Sequence, residues 1–375
     1  MATWLSATAV FAQLKVEWGL SSAAGSWLTI AVQLGFVAGA LASSFVNLAD
    51  LLPPARLIAA CAVGAAIVNS LLVAVGSAGP AIALRFLTGV FVAGIYPPAL
   101  KFLATWFKTG RGVALGILVG ALTLGTATPH LVNALGGLRW ETVVLVASGL
   151  SIAGAGVALM VSEGPFPFPR AVFDPRQVRR TFANRGVRLA SLGYFGHMWE
   201  LYAVWAWIHI FFTDIGNDAT AGATIAFAAV GIGSLGCYIG GRLGDTWGRT
   251  RTTAAAMGIS GMCALVIGSL EGAPLWIAVV VALVWGLSVV ADSAQFSTMV
   301  TELADQAYVG TALTLQLALG FTLTVVTIWL IPVVERAHGW GWAFALLAPG
   351  PALGALAMLR LKAQPEAARL AGGRG

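Results

Sequence analysis

Charge is scarce in this chain. Of its 375 residues only 15 are acidic and 21 basic, so about one residue in ten is charged, against about 25% in an average soluble domain. Such a sequence would precipitate as a soluble globule. Cysteine is scarcer still. Cys61, Cys237 and Cys263 lie inside apolar stretches with no CxxC or Cys/His spacing, which excludes a disulfide scaffold and leaves no cysteine-based zinc or haem site. Paired aspartate clusters and H-E-x-x-H are missing, so a membrane-embedded metalloenzyme would have no reacting groups. The expectation is a protein that is not an enzyme and needs no metal or cofactor. Met1 leads straight into apolar sequence without a basic segment or an A-x-A exit, so no cleavable signal peptide is expected. The basic runs lack aromatic platforms, which argues against a nucleic-acid partner.

What the chain does have is hydrocarbon. Hydrophobic residues make up 58% of it and the mean hydropathy is +0.87, the composition of an all-α integral membrane protein. Apolar runs occupy 22–46, 56–76, 79–105, 110–134, 139–161, 186–213, 218–242, 251–270, 273–296, 307–334 and 340–360, eleven full spans. A further run, Met1 to Val16, is apolar but short for a core about 30 Å thick at 1.5 Å per residue. Basic residues sort into alternate loops. One face carries Arg56, Lys101, Lys108, Arg111, the group from Arg170 to Arg188, Arg242, Arg249, Arg251 and Arg360 to Arg374; the other has only Lys15, Arg139 and Arg336. The first face is therefore cytoplasmic, the C-terminus lies inside, and the net charge of +6 reflects topology.

The chain also repeats. DLLPPAR at Asp50–Arg56 and DTWGRTR at Asp245–Arg251 each follow the second span of a half, 195 residues apart, and the same offset sets Trp4 against Trp199. By that register span one should begin about ten residues before Met1, so the first helix is expected to be truncated at its N-terminus. The expected domains are a six-helix bundle at 1–161, a cytoplasmic linker at 162–184 rich in proline and arginine, a second six-helix bundle at 185–362 and a tail at 363–375.

Gly241 to Arg251, GRLGDTWGRTR, resembles the loop signature G-x-L-x-D-x-x-G-R-x-R of the major facilitator superfamily. Arg85 to Gly89 is similar to that family's R-x-x-x-G on span four, and Trp106-Phe107 with Arg111-Gly112 and Ala114 is similar to its entry into span five. The resemblance implies two pseudo-symmetric six-helix bundles and a secondary carrier working by alternating access. It also implies a conformational latch at Gly241, Asp245, Gly248, Arg249 and Arg251, with a weaker first-half copy at Asp50.

Ionisable residues inside the spans mark the candidate site, because each costs about 2.5–3.5 kcal/mol to place at mid-membrane. Arg85, Gly89, Val92 and Tyr96 share a stripe of span four, where Arg85 can bind an anion, hold a carboxylate, or snorkel to the outer interface. His197 and Glu200 stand at i and i+3 on span seven, close enough to share a proton, with Tyr194 beside them. Asp292 and Gln295 end a polar stripe on span ten; Asp292 can pair with Lys101 or cap a broken helix. Gln316 on span eleven and Gln33 on span two complete the set of cavity hydrogen-bonding groups. The expected partners are a small-molecule substrate, protons and the lipid bilayer, and the expected state is a monomer in a bacterial cytoplasmic membrane. Uptake of a small organic or inorganic anion is favoured by Arg85. Proton-driven efflux of amphipathic compounds is the alternative favoured by the aromatics, and a transporter-like sensor comes third, because the linker and tail offer no signalling domain.

Overall fold

Hydrocarbon offers no water to the backbone, so spans this apolar can only close their hydrogen bonds internally, as helices. The computed structural model describes residues 1–45, 48, 52–107, 110–135, 138–166, 183–216, 218–305 and 309–375, and its regular structure among those residues is helical throughout. Asp50 and most of the expected linker lie outside the described residues.

Among the described residues, nine helical stretches are long and apolar enough to cross a membrane. Two features reconcile that number with the eleven full spans expected. Ala312–Lys362 counts as one stretch but holds spans eleven and twelve, which turn at Gly339 with φ 79°. Arg185–Gly216 is 32 residues long and forms span seven, yet it carries Arg185, Arg188, His197, Glu200, His209 and Asp214 and reads as too polar. Span one consists of two short helices, Ser6–Ala9 and Phe11–Glu17, bent at Val10, with Trp4 and Leu5 buried just ahead of them.

Several spans are broken near their middles. Span four runs Ala78–Ala93 and restarts at Tyr96, where Pro97 and Pro98 open the new segment to Ala104 because neither needs an N–H partner there. Span ten runs Leu275–Ala291 and Ser293–Leu303, jointed at Asp292. Span eight divides at Ile232 into Ala219–Gly231 and Gly233–Thr246. Such joints leave backbone free of the helix ladder, which is tolerated inside a membrane only where protein surrounds it.

In the first half span two (Ser22–Phe45) lies along span four, and span three (Pro54–Ser70) along span six (Trp140–Leu159). In the second half span seven packs on span twelve (Pro349–Lys362) and span nine (Arg249–Ile267) on spans ten and twelve. The halves meet along two seams, span two against span eleven and span five (Arg111–Ala134) against span eight.

Spans two and four owe their closeness to two glycines. A Cβ at Gly35 would stand 1.9 Å from the Phe86 carbonyl oxygen, and one at Gly89 would stand 2.1 Å from that of Val32. Backbone is the obstacle in both cases, so neither clash can be relieved by turning a side chain. Gly35→Val is therefore expected to destabilise the protein by about 1–3 kcal/mol or more. Thermal unfolding in detergent checks this; an unchanged midpoint would contradict the packing described.

Candidate functional site

Span seven carries two ionisable side chains at helical spacing, and the fold separates them. Glu200 turns into the second half, where Trp285 Nε1 of span ten donates to Oε1 at 2.6 Å and Ser260 Oγ of span nine donates to Oε2 at 2.9 Å. It is 1% exposed. His197 instead places Nδ1 2.9 Å from Asp292 Oδ1, and both groups are buried. The expected sharing of a proton between His197 and Glu200 is thus corrected: each has its own partner on span ten. Asp292 does sit at a helix joint, as one reading of the sequence required, and it lies beside His197 inside the bundle. Tyr194 completes this corner, its ring 6.0 Å from those of His197 and Phe296 and seated over Gly320 of span eleven.

Arg85 is fully buried, which overturns the snorkelling alternative. Its guanidinium donates to the Thr3 carbonyl at 2.8 Å, Asn69 Oδ1 at 2.9 Å, Ser6 Oγ at 3.3 Å, the Leu28 carbonyl at 3.4 Å and, closely, the Trp4 carbonyl. Every one of these acceptors is neutral, and no carboxylate among the described residues pairs with it. Asn69 extends the network into span six by donating to Ser148 Oγ and the Val144 carbonyl. Arg85 therefore binds spans one, two, three and four together around an uncompensated positive charge.

Between Arg85 and Glu200 the halves meet through aromatic rings. Trp4 lies 5.3 Å from Phe36, 5.5 Å from Tyr202 and 5.3 Å from Phe321, and the Phe36 and Phe321 rings are 4.2 Å apart. Four spans, two from each half, thus fill the centre. Buried polar atoms surround the rings without a partner among the described residues: Trp4 Nε1, Trp205 Nε1, both amide atoms of Gln33, and Gln316 Oε1. Gln316 makes only a long contact of 3.5 Å to Ser191. Gln33 and Gln316, expected as cavity groups, are both fully buried. Tyr96 is buried at the joint of span four. The rings Trp4, Phe36 and Phe321 were not anticipated, since only a seam between halves brings them together. A narrow crevice lies between spans one, two and seven, lined by Thr8, Thr29, Trp207 and Ile210.

At the end of the seam that carries the Gly241–Arg251 segment, the two halves meet at a cluster of charge. Arg249, 2% exposed, donates from Nε and Nη2 to both oxygens of Glu302 at 2.8 and 2.7 Å, lies 3.1 Å from Asp245 and donates to Gln295 Oε1 at 2.8 Å. Asp245 in turn accepts from the Val113 backbone N–H at 3.1 Å, the contact that crosses from one half to the other at the start of span five. Gly241 makes this possible, because a Cβ there would stand 2.6 Å from the Gly112 carbonyl. Gly248 turns the chain with φ 108°. Gln295, expected among the cavity groups, joins this charge cluster by accepting from Arg249, and Arg251, expected in the cluster, is exposed outside it. Glu302 was missed, although an acidic residue at the inner end of span ten was the available signal. The tail joins as well: Arg374 donates to the Asp245 carbonyl, and the Ala371 N–H to Glu302 Oε2.

A sequence model of the Major Facilitator Superfamily matches residues 1–327. None of the curated proteins matches the chain in sequence. Among solved structures, the human organic anion transporter MFSD10 (TETRAN) is 13% identical, with 95% of this chain and 96% of that one covered and a TM-score of 0.69. A bacterial homologue of the human lysosomal transporter Spinster, solved inward-facing and unoccupied, is 16% identical over 96% of this chain and 92% of that one, with a TM-score of 0.61. Both likenesses are of fold.

Removing the cation from the latch leaves Asp245 and Glu302 facing a buried gap, so Arg249→Ala is expected to cost about 3–5 kcal/mol. Arg251→Ala, outside the cluster, should stay within about 0.5 kcal/mol of the parent. Paired thermal-unfolding curves in detergent check this, and equal losses would contradict the assignment.

Proposed function

Because the chain belongs to the Major Facilitator Superfamily, we propose that it is a proton-coupled secondary carrier that moves a small organic or inorganic anion by alternating access. The observation that carries the reading is the division of buried charge. A guanidinium met only by neutral oxygens lies in the first half, and two carboxyl groups lie in the second, on opposite sides of the aromatic seam.

In this reading Arg85 supplies the attraction for the anion. Its Thr3 and Trp4 acceptors belong to residues ahead of the Ser6–Ala9 helix, so an anion can replace them without unwinding a helix. Bidentate recognition by a fixed guanidinium fork then orients the substrate. Glu200 is the coupling group. Its partners Trp285 and Ser260 are neutral donors, so no cation has to be displaced when it takes or gives up a proton. A membrane potential contributes about 2.3 kcal/mol per charge per 100 mV to each cycle. The latch at Asp245, Arg249 and Glu302 holds the cytoplasmic side shut while the outer side loads, and breaks when the halves rock. The two six-helix halves work as one monomer of a bacterial cytoplasmic membrane with the tail inside.

Efflux of amphipathic compounds is the second reading, favoured by the ring cluster of Trp4, Phe36, Tyr202 and Phe321. The likeness to MFSD10 is one of fold and brings no substrate with it. Glu200→Gln keeps an oxygen for Trp285 or Ser260 and cannot ionise. In proteoliposomes it is expected to abolish accumulation driven by a pH gradient while solute exchange continues; loss of both activities from a folded protein would reject Glu200 as the coupling group.

A further inference from the structure

The outer end of the seam holds a second titratable pair that the cycle above does not use. His130 follows Pro129 in span five and His209 lies in span seven, so the two come from different halves. Their rings meet edge to face, centroids 5.4 Å apart at 72°. His130 is fully buried and His209 is 3% exposed. The His209 ring hydrogen-bonds the Ala219 backbone. Both nitrogens of His130 and Nε2 of His209 have no partner among the described residues.

The charged groups on the surrounding elements are these. On span seven Asp214 accepts from Trp340 Nε1. On span one Glu17 accepts from Trp140 Nε1, and Lys15 lies two residues before it, in the last turn of Phe11–Glu17. At the start of span six Arg139 pairs with Glu141. Asp218 caps span eight by accepting from the N–H groups of Thr220 and Ala221. Glu271 accepts from the Trp340 N–H, and Arg336 donates to the Pro332 carbonyl near Glu335 at the outer end of span eleven. None of these groups forms an ion pair with either ring among the described residues.

Two neutral imidazoles pack edge to face as ordinary aromatic rings do. An imidazolium at the same place would be buried without a carboxylate, and a second would repel the first. The way to hydrate such a charge is to part span five from span seven. We propose that His130 and His209 form a proton-responsive outer gate: neutral rings hold the halves together at this level, and protonation from outside opens them. The proposal rests on alternating access but not on Glu200 as the coupling group. Its sign is fixed, with acid on the outer side favouring the outward-open form.

The test is a distance across the seam. Spin labels at Leu135→Cys and Thr220→Cys, both exposed positions on opposite halves, are placed in full-length protein whose three cysteines are serine, reconstituted in lipid. Pulsed electron spin resonance should show the longer separation several-fold more populated at about pH 5.5 than at about pH 8. Replacing both histidines by phenylalanine keeps ring volume and removes titration, so the short separation should persist at both pH values. Replacing both histidines by glutamine carries the same expectation, should the phenylalanine pair misfold. A parent distribution that ignores pH, or a shift that survives in the variants, overturns the gate. A shift that vanishes in Glu200→Gln but persists without the histidines would overturn it too and assign the response to the coupling carboxyl. Because the readout is a distance, it stands whether or not the transported solute is an anion.

Discussion

An ion in hydrocarbon has to be solvated by protein, and Arg85 shows most plainly how this chain does it. Five neutral oxygens from spans one, two and three converge on one guanidinium in span four. Charged hydrogen bonds of this kind contribute about 1.5–3 kcal/mol each, so the same contacts that dissolve the charge also hold the first half together. The short span one is the clearest beneficiary. Its non-helical leading residues find in Arg85 the donors that a helix would otherwise have supplied, and Trp4 is thereby held at the centre of the seam.

The second half meets the same constraint differently. There the buried ionisable groups each have a partner: Arg249 meets Asp245 and Glu302, His197 meets Asp292, and Glu200 meets two neutral donors. The gradation has a functional logic. The latch is complete and partly reached by solvent, so it can break and re-form as the halves rock. Glu200 is held by neutral donors alone among the described residues, with no cation to displace. The unpartnered amide and indole groups around the Trp4 rings sit between these extremes, in the place where a solute with its own hydrogen-bonding groups would cross.

Much of this architecture was legible in the sequence because it is local. Span positions follow from apolar run length, and the meeting of Asp245 with Arg249 from the spacing of the Gly241–Arg251 segment. What escaped was set by contacts between distant segments. Glu200 and His197 are neighbours by helical spacing, yet the turn of span seven sends them to different partners, Trp285 and Asp292. Gln295 looked like cavity lining because it extends the stripe of Asp292, but the joint in span ten turns it towards Arg249. Phe36, Phe321, His130 and His209 carry no periodic signal at all; they acquire meaning only when the two halves are placed face to face. The polar content of span seven, which lowers its apparent fitness to cross a membrane, is the price of housing the site there.

The central claim is that solute and protons move together, and the most direct measurement is proton flux driven by the solute alone. Purified protein in liposomes holding a lumenal pH dye, with no initial pH gradient, would be given a small membrane-impermeant anion on the outside. The account predicts a lumenal pH change that requires the anion and is lost in Glu200→Gln. Anion entry at constant lumenal pH, with the potential clamped, would contradict it.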